Sequence, residues 1–191
     1  MSNQITELSI QAKVASEILK RILERRAGIH LSTAPIVQNR PIVEFMRRMR
    51  ITSFEKFNTT TFISVINFYV SKEQANKDIP VGTMVLYVEV EYLSKLLHKL
   101  GYPVDETDEN ELLDACGTLC NLIAGNFKSG LCQLGYMNME MSHFMSFKNE
   151  IFEGVLYPVD QTEKCEMSFE IEGEKRIMID LVLGNIPKVE I

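Results

Sequence analysis

Five residues carry the chemistry this chain advertises most clearly: Asp114, Thr118, Asn121, Gly125 and Lys128. They fall at steps of four, three, four and three, which keeps them on one side of a helix at 3.6 residues per turn. The opposite side carries Leu112, Cys116, Leu119, Ile123 and Phe127, an apolar stripe fit for a core. The polar stripe therefore looks outward. An amide stands at its centre, able to donate and accept hydrogen bonds without titrating. A glycine follows one turn on, where a partner could approach closely. The bland alternative is a solvated helix face with no partner.

The elements around this helix follow from the pattern of the chain. Residues 4–27 read as a first helix, with Ile5, Leu8, Ala12, Ala15, Leu19, Ile22 and Leu23 at helical spacing and Gly28 to stop it. Residues 29–40 read as extended, punctuated by Pro35 and Pro41. Between Pro41 and Phe57, the spacing of Ile42, Phe45, Met46 and Met49 suits a short helix. Residues 59–72 alternate with apolar side chains on both faces, as a central strand does. A polar turn around Asn76 to Pro80 leads to a strand over 83–90, and residues 91–100 switch to helical spacing before Gly101.

The acidic loop Asp105 to Asn110 enters the helix that carries Asn121, with Asp108 and Glu111 spaced for a capping box. After Gly135, Met137, Met139, Met141, His143 and Met145 alternate as if on one strand face, a packing surface or a soft partner surface. Strands near 165–171 and 176–183 flank Glu172-Gly173-Glu174, a tight hairpin. The layout is α+β, with helices packed on an antiparallel sheet.

Composition narrows the function classes. The chain has 191 residues, 46% of them hydrophobic and 24% charged, enough for one domain with a core. A net charge of −6 argues against general nucleic-acid binding. Arg40, Arg47, Arg48 and Arg50 cluster locally, as a solvated face or a docking patch for an acidic partner. No apolar run is long enough for a membrane span, and the first residues lack an export signal. Cys116, Cys120, Cys132 and Cys165 show no metal-ligand spacing, and Cys116 and Cys120, one helical turn apart near the buried stripe, read as small core residues in a reducing cytoplasm. His30, His98 and His143 are isolated in sequence, and none is assigned catalysis.

The helix resembles the signature helix of the CheC/CheX/FliY chemotaxis phosphatases, in its CheX-like branch. That pattern is Asp or Ser, three spacers, Glu, two spacers, Asn, then an apolar-small-Gly-Asn run. Asp114, Asn121, Leu122, Ile123, Ala124, Gly125 and Asn126 stand in the matching places. Thr118 stands where the family has Glu, and Phe144 where it often has proline. The segment from Gly82 to Glu89 resembles the family's strand before its paired helices, while Gln38 to Phe57 is longer than in compact members.

The resemblance implies one CheX-like domain over residues 1–191, with an antiparallel sheet and one long signature helix. It implies a phosphorylated, CheY-like receiver domain of two-component signalling as partner, and a homodimer. Asn121 would be catalytic, orienting the attacking water. Asp114, Thr118, Gly125 and Lys128 would meet the partner. No cofactor of its own is implied, and Mg²⁺ would sit on the receiver. Loss of the motif Glu leaves three expectations: weak phosphatase activity on Asn121 alone, activity with Asp114 supplying the missing charge, or a receiver-binding or dimerisation module without activity.

Overall fold

The computed structural model describes residues 7–52, 56–102, 104–148 and 151–189. In chain order its helices are α1 (Glu7–Arg21, continued by a π-helical turn, Ile22–Arg26), α2 (Lys72–Asn76), α3 (Val90–Lys99) and α4 (Glu109–Gln133). The strands are β1 (Ile36–Pro41), β2 (Glu44–Phe45), β3 (Arg48–Thr52), β4 (Thr61–Tyr69), β5 (Gly82–Glu89), β6 (Glu140–Met141), β7 (Met145–Lys148), β8 (Ile151–Val155), β9 (Glu163–Ile171) and β10 (Glu174–Leu183).

An antiparallel sheet runs β1-β9-β10-β5-β4, and both β6 and β7 pair with the outer side of β4. Every residue of β4 and β5 is buried, because each strand has a covered face on both sides. Phe62, Ile66, Phe68, Met84, Leu86 and Val88 share a core with side chains of α1, α3 and α4. Ile63, Val65, Val85, Tyr87, Met178 and Val182 share a second core with Met49, Ile51, Val155 and Tyr157, from the small sheet β2-β3-β8 and the residues that follow it. The fold is thus three layers, helices over a sheet over a small sheet, and α4 belongs to the helical layer.

Two expectations need correction. The short helix expected between Pro41 and Phe57 is instead the β2–β3 hairpin, turned by Met46 and Arg47 at φ 49° and 61°. The apolar positions there fit a strand as well as a helix. Met49 and Ile51 alternate with exposed Arg48 and Arg50, and burying them on the central sheet decides the matter. Residues 53–55 of that stretch lie outside the described residues, as do residues 4–6 of the first expected helix.

The methionine alternation after Gly135 is not one strand face either. Only 140–141 and 145–148 pair with β4, Met139 is buried, and Met137, His143 and Met145 are exposed. Between the two short strands, Ser142 caps the edge of β4: its N–H donates to the Asn67 carbonyl (2.9 Å) and its hydroxyl accepts from the Asn67 N–H (3.0 Å).

The strands expected at 59–72 and 83–90 and near 165–171 and 176–183 are β4, β5, β9 and β10. Glu172 and Gly173 form a two-residue loop at φ 56° and 81°, the left-handed pair that suits the twist of a tight hairpin. No helix among the described residues is long and apolar enough to cross a membrane.

Candidate functional site on the outer face of α4

The entry to α4 is set by side chains. Asp108 is the N-cap, its Oδ1 accepting from the N–H groups of Asn110 (2.8 Å) and Glu111 (3.4 Å). Glu111 does not close the expected capping box onto Asp108. Its carboxylate accepts from the Asp105 N–H at 2.9 Å and so pins the preceding loop. Asp105 in turn accepts from the hydroxyl and N–H of Thr107, and these bonds hold its carboxyl below the usual range.

From this start α4 runs 25 residues without a break. Leu112, Cys116, Leu119, Ile123 and Phe127 are all buried, as their spacing requires. Phe127 meets Phe68 of β4 edge to face, with ring centroids 5.7 Å apart. Burial pushes the Cys120 thiol up to about 12 and the Cys116 thiol well above its ordinary value, so neither is a nucleophile. Among the described residues no His, Cys, Asp and Glu gather to hold a metal ion.

The outward stripe is where its spacing puts it. Asn121 and Asp114 are exposed, and Thr118, Gly125 and Lys128 are half-buried. Asn121 lies about 4.5 Å along the axis from Thr118 and about 10 Å from Asp114. Among the described residues the side chains of Asn121, Asp114 and Lys128 have no hydrogen bond or ion pair. Asn126 behaves differently: its Nδ2 donates back to the Leu122 carbonyl at 2.7 Å, so part of its capacity is spent on its own helix. A Cβ added at Gly125 would meet nothing within 4 Å. That glycine keeps the surface low without being required by packing inside the chain.

Gly117, by contrast, is covered by the ring of Phe144 from the loop before β7. Phe144 therefore lies against the same helix, one residue before Thr118.

Asp114 and Thr118 open onto a depression of about 560 Å³, also lined by Glu111, Tyr102 and Val104. The structure thus adds Glu111 to the acidic side of the site. Its signal was present in the chain, since 111, 114, 118 and 121 continue the same three-and-four spacing. Tyr102 comes from the connection between α3 and α4, and no periodic pattern announces it. Asn121, Gly125 and Lys128 continue the face beyond the depression. The site is an unbroken helix surface with an amide unengaged among the described residues, a low point beside it, and carboxylates on the turns before it.

Comparison with known proteins agrees with this architecture. The family model described as chemotaxis phosphatase CheX matches residues 75–151, which include all of α4. The chemotaxis protein CheX from Vibrio vulnificus superposes with a TM-score of 0.61 at 14% identity, over 95% of this chain and 99% of that one. A CheC-like superfamily protein from Shewanella sp. PV-4 gives 0.60 at 14% identity, over 92% and 97%. FliY from Thermotoga maritima gives 0.56 at 17% identity, over 96% and 91%. Likeness at these identities is a likeness of fold. No curated protein matches the sequence. The resemblance to the CheC/CheX/FliY family read from the helix is borne out by the matching segment and by the fold.

Proposed function

We propose that this chain binds the phosphorylated receiver domain of a response regulator through the outer face of α4 and hydrolyses its aspartyl phosphate. The observation that carries the reading is Asn121, exposed on an unbroken 25-residue helix with its amide unengaged by the described residues. The match of residues 75–151 to the CheX phosphatase model supports it independently.

An aspartyl phosphate is a reactive acyl phosphate, and the receiver brings its own Mg²⁺ and lysine. The phosphatase needs only to position water. In this reading Asn121 enters the receiver's site and its amide accepts from and donates to the attacking water, aligning it with the scissile bond. The water oxygen bonds to phosphorus, the bond between phosphorus and the acyl oxygen breaks, and the receiver's carboxylate leaves with inorganic phosphate as the other product. Gly125 lets the partner's backbone approach, and Lys128 and Asp114 meet charges at the rim.

One observation favours a second reading, a receiver-binding or dimerisation module without phosphatase activity. Thr118 stands where the family's Glu pairs with the receiver lysine, and a hydroxyl makes no ion pair. Loss of one desolvated interfacial ion pair costs on the order of 2–5 kcal/mol, tens to thousands of fold in affinity. Glu111 and Asp114 are the carboxylates nearest that gap in the lining of the depression.

The deciding experiment is the decay of a phosphorylated CheY-like receiver, alone, with the wild-type chain and with Asn121→Ala. Acceleration by the wild type and its loss in the variant is the expected result. Phosphorylation-dependent binding without acceleration selects the module, and no binding in either state removes both. The reading takes residues 1–191 as one domain, cytoplasmic and homodimeric. A solution mass equal to that of one 21.9 kDa chain would remove the dimer.

A further inference from the structure

A second feature of the helical layer lies away from the Asn121 face. A groove of about 660 Å³ runs between α1 and the C-terminal half of α4. Ile10, Val14, Ile18 and Leu134 give it an apolar surface, and Ile10 and Leu134 leave 43% and 52% of themselves open to solvent. On the α1 side it is rimmed by Lys13, Arg21, Arg25 and Arg26. The α4 side offers the neutral Asn126, Ser129 and Gln133. The one carboxylate among the described lining residues, Glu17, already accepts from Arg21 Nε at 2.9 Å. Lys13, Arg25 and Arg26 are exposed and have no ion pair among the described residues. A strip of unneutralised positive charge beside exposed aliphatic surface is out of keeping with a chain of net charge −6.

The backbone at the end of this strip is unusual as well. Arg25 and Arg26 belong to the π-helical turn, in which the Ala27 N–H reaches the Ile22 carbonyl at 3.3 Å. Such turns are rare, well under 1% of residues, and recur at functional sites. Here the two consecutive arginines both line the groove.

The groove follows α1 from Ile10 to Arg26, about 24 Å at the helical rise. That length suits a helix of about four turns better than a small molecule. An apolar stripe flanked by carboxylates would match the aliphatic surface and the basic rim together. We infer that this groove docks an acidic amphipathic helix of a partner protein. Asn126 stands about 140° around α4 from Asn121, so the occupant leaves the Asn121 face uncovered and the inference does not depend on phosphatase activity.

The test uses the full chain and a fluorescein-labelled acidic peptide of about 16 residues, with leucines at helical-stripe positions and glutamates on the flanks. Fluorescence anisotropy should show saturable one-to-one binding at physiological salt. Arg25→Glu with Arg26→Glu should weaken it about tenfold or more, and Ile10→Ser should weaken it too, while Asn121→Ala leaves it unchanged. All of these positions are exposed, so circular dichroism should show the same fold throughout. A scrambled peptide of the same composition that binds as tightly would reduce the effect to bulk charge and overturn the inference. So would a double charge reversal that binds like the wild type, or no saturable binding at all. Arginine-dependent binding to phosphatidylglycerol vesicles with the peptide left unbound would assign the strip to a lipid surface and equally overturn it.

Discussion

The ring of Phe144 lies over Gly117 so closely that a Cβ on Gly117 would stand 2.1 Å from Phe144 Cδ2 and 2.6 Å from Cγ. This ties the edge of the central sheet to α4 one residue before Thr118, and glycine is the residue that permits it. The atoms in conflict include the root of the ring, so a rotation of a side-chain tip does not relieve them.

Gly117→Ala should therefore destabilise the protein even though alanine is the better helix former by about 1 kcal/mol. Overpacking of this kind costs about 1–3 kcal/mol, so after the helix gain the expected net loss is up to about 2 kcal/mol by urea unfolding. Combining it with Phe144→Ala should cost less than the two single changes added together, because one change removes the other's clash. Strict additivity would show that the ring moves away freely.

On the proposed reading, Thr118→Glu should supply the acid that the resembled pattern carries one turn before Asn121. Its side chain has room at the depression, and the penalty from Asp114 four residues earlier is only about 0.2–0.5 kcal/mol. Receiver affinity, and with it the dephosphorylation rate at limiting receiver, should rise by about tenfold or more. An unchanged titration would mean that the acid at this position has no counterpart in the bound pose. Asn121→Ala, at an exposed position, should leave stability within about 0.5 kcal/mol while it abolishes the rate enhancement.

Lys56 is the residue whose loss should hurt stability most outside the helical layer. Its ammonium donates to Asp180 Oδ1 at 3.0 Å and to Glu166, while Asp180, fully buried, also accepts from Lys164 (2.6 Å) and from the Tyr87 hydroxyl (3.0 Å). Burial acts to lower the Lys56 pKa, but the attraction of Asp180 and Glu166 outweighs it and the value is raised. A raised folded value means that the stabilisation is fully present below the unfolded value near 10.5 and is lost as pH rises through the folded one. Lys56→Met should cost about 3–5 kcal/mol at neutral pH, since it leaves buried carboxylates short of a cation. Loss of that difference between wild type and variant at strongly alkaline pH would complete the check.

The four thiols should separate sharply under a disulfide reagent at pH 8. Burial pushes Cys120 up to about 12 and Cys165 up to about 11, and raises Cys116 as well, whereas Cys132 is half-buried near the end of α4. One thiol per chain should react in the native protein and the other three only after unfolding. Rapid reaction of two or more would mean that the core opens on the time scale of the assay.

What the amino-acid order determined by itself was whatever repeats locally. Steps of three and four from Asp114 to Lys128 placed Asn121 outside, with Phe127 and its neighbours inside. Two-sided apolar alternation marked β4 as a covered strand, and Glu172-Gly173 marked a tight hairpin. Each of these is a property of residues within a few positions of one another, where backbone periodicity alone decides the face.

Tertiary structure decided the rest. Met49 and Ile51 became strand residues because an uncovered sheet face lay beneath them. The methionines after Gly135 divided between core and solvent because β4 offered only two short stretches of free edge, with Phe144 drawn onto Gly117 between them. Lys56 found Asp180 across 124 positions, and the basic strip of α1 met Leu134 of the α4 terminus across more than a hundred. Such meetings depend on which strand lies beside which and which helix crosses which, and short-range periodicity carries no information about that order.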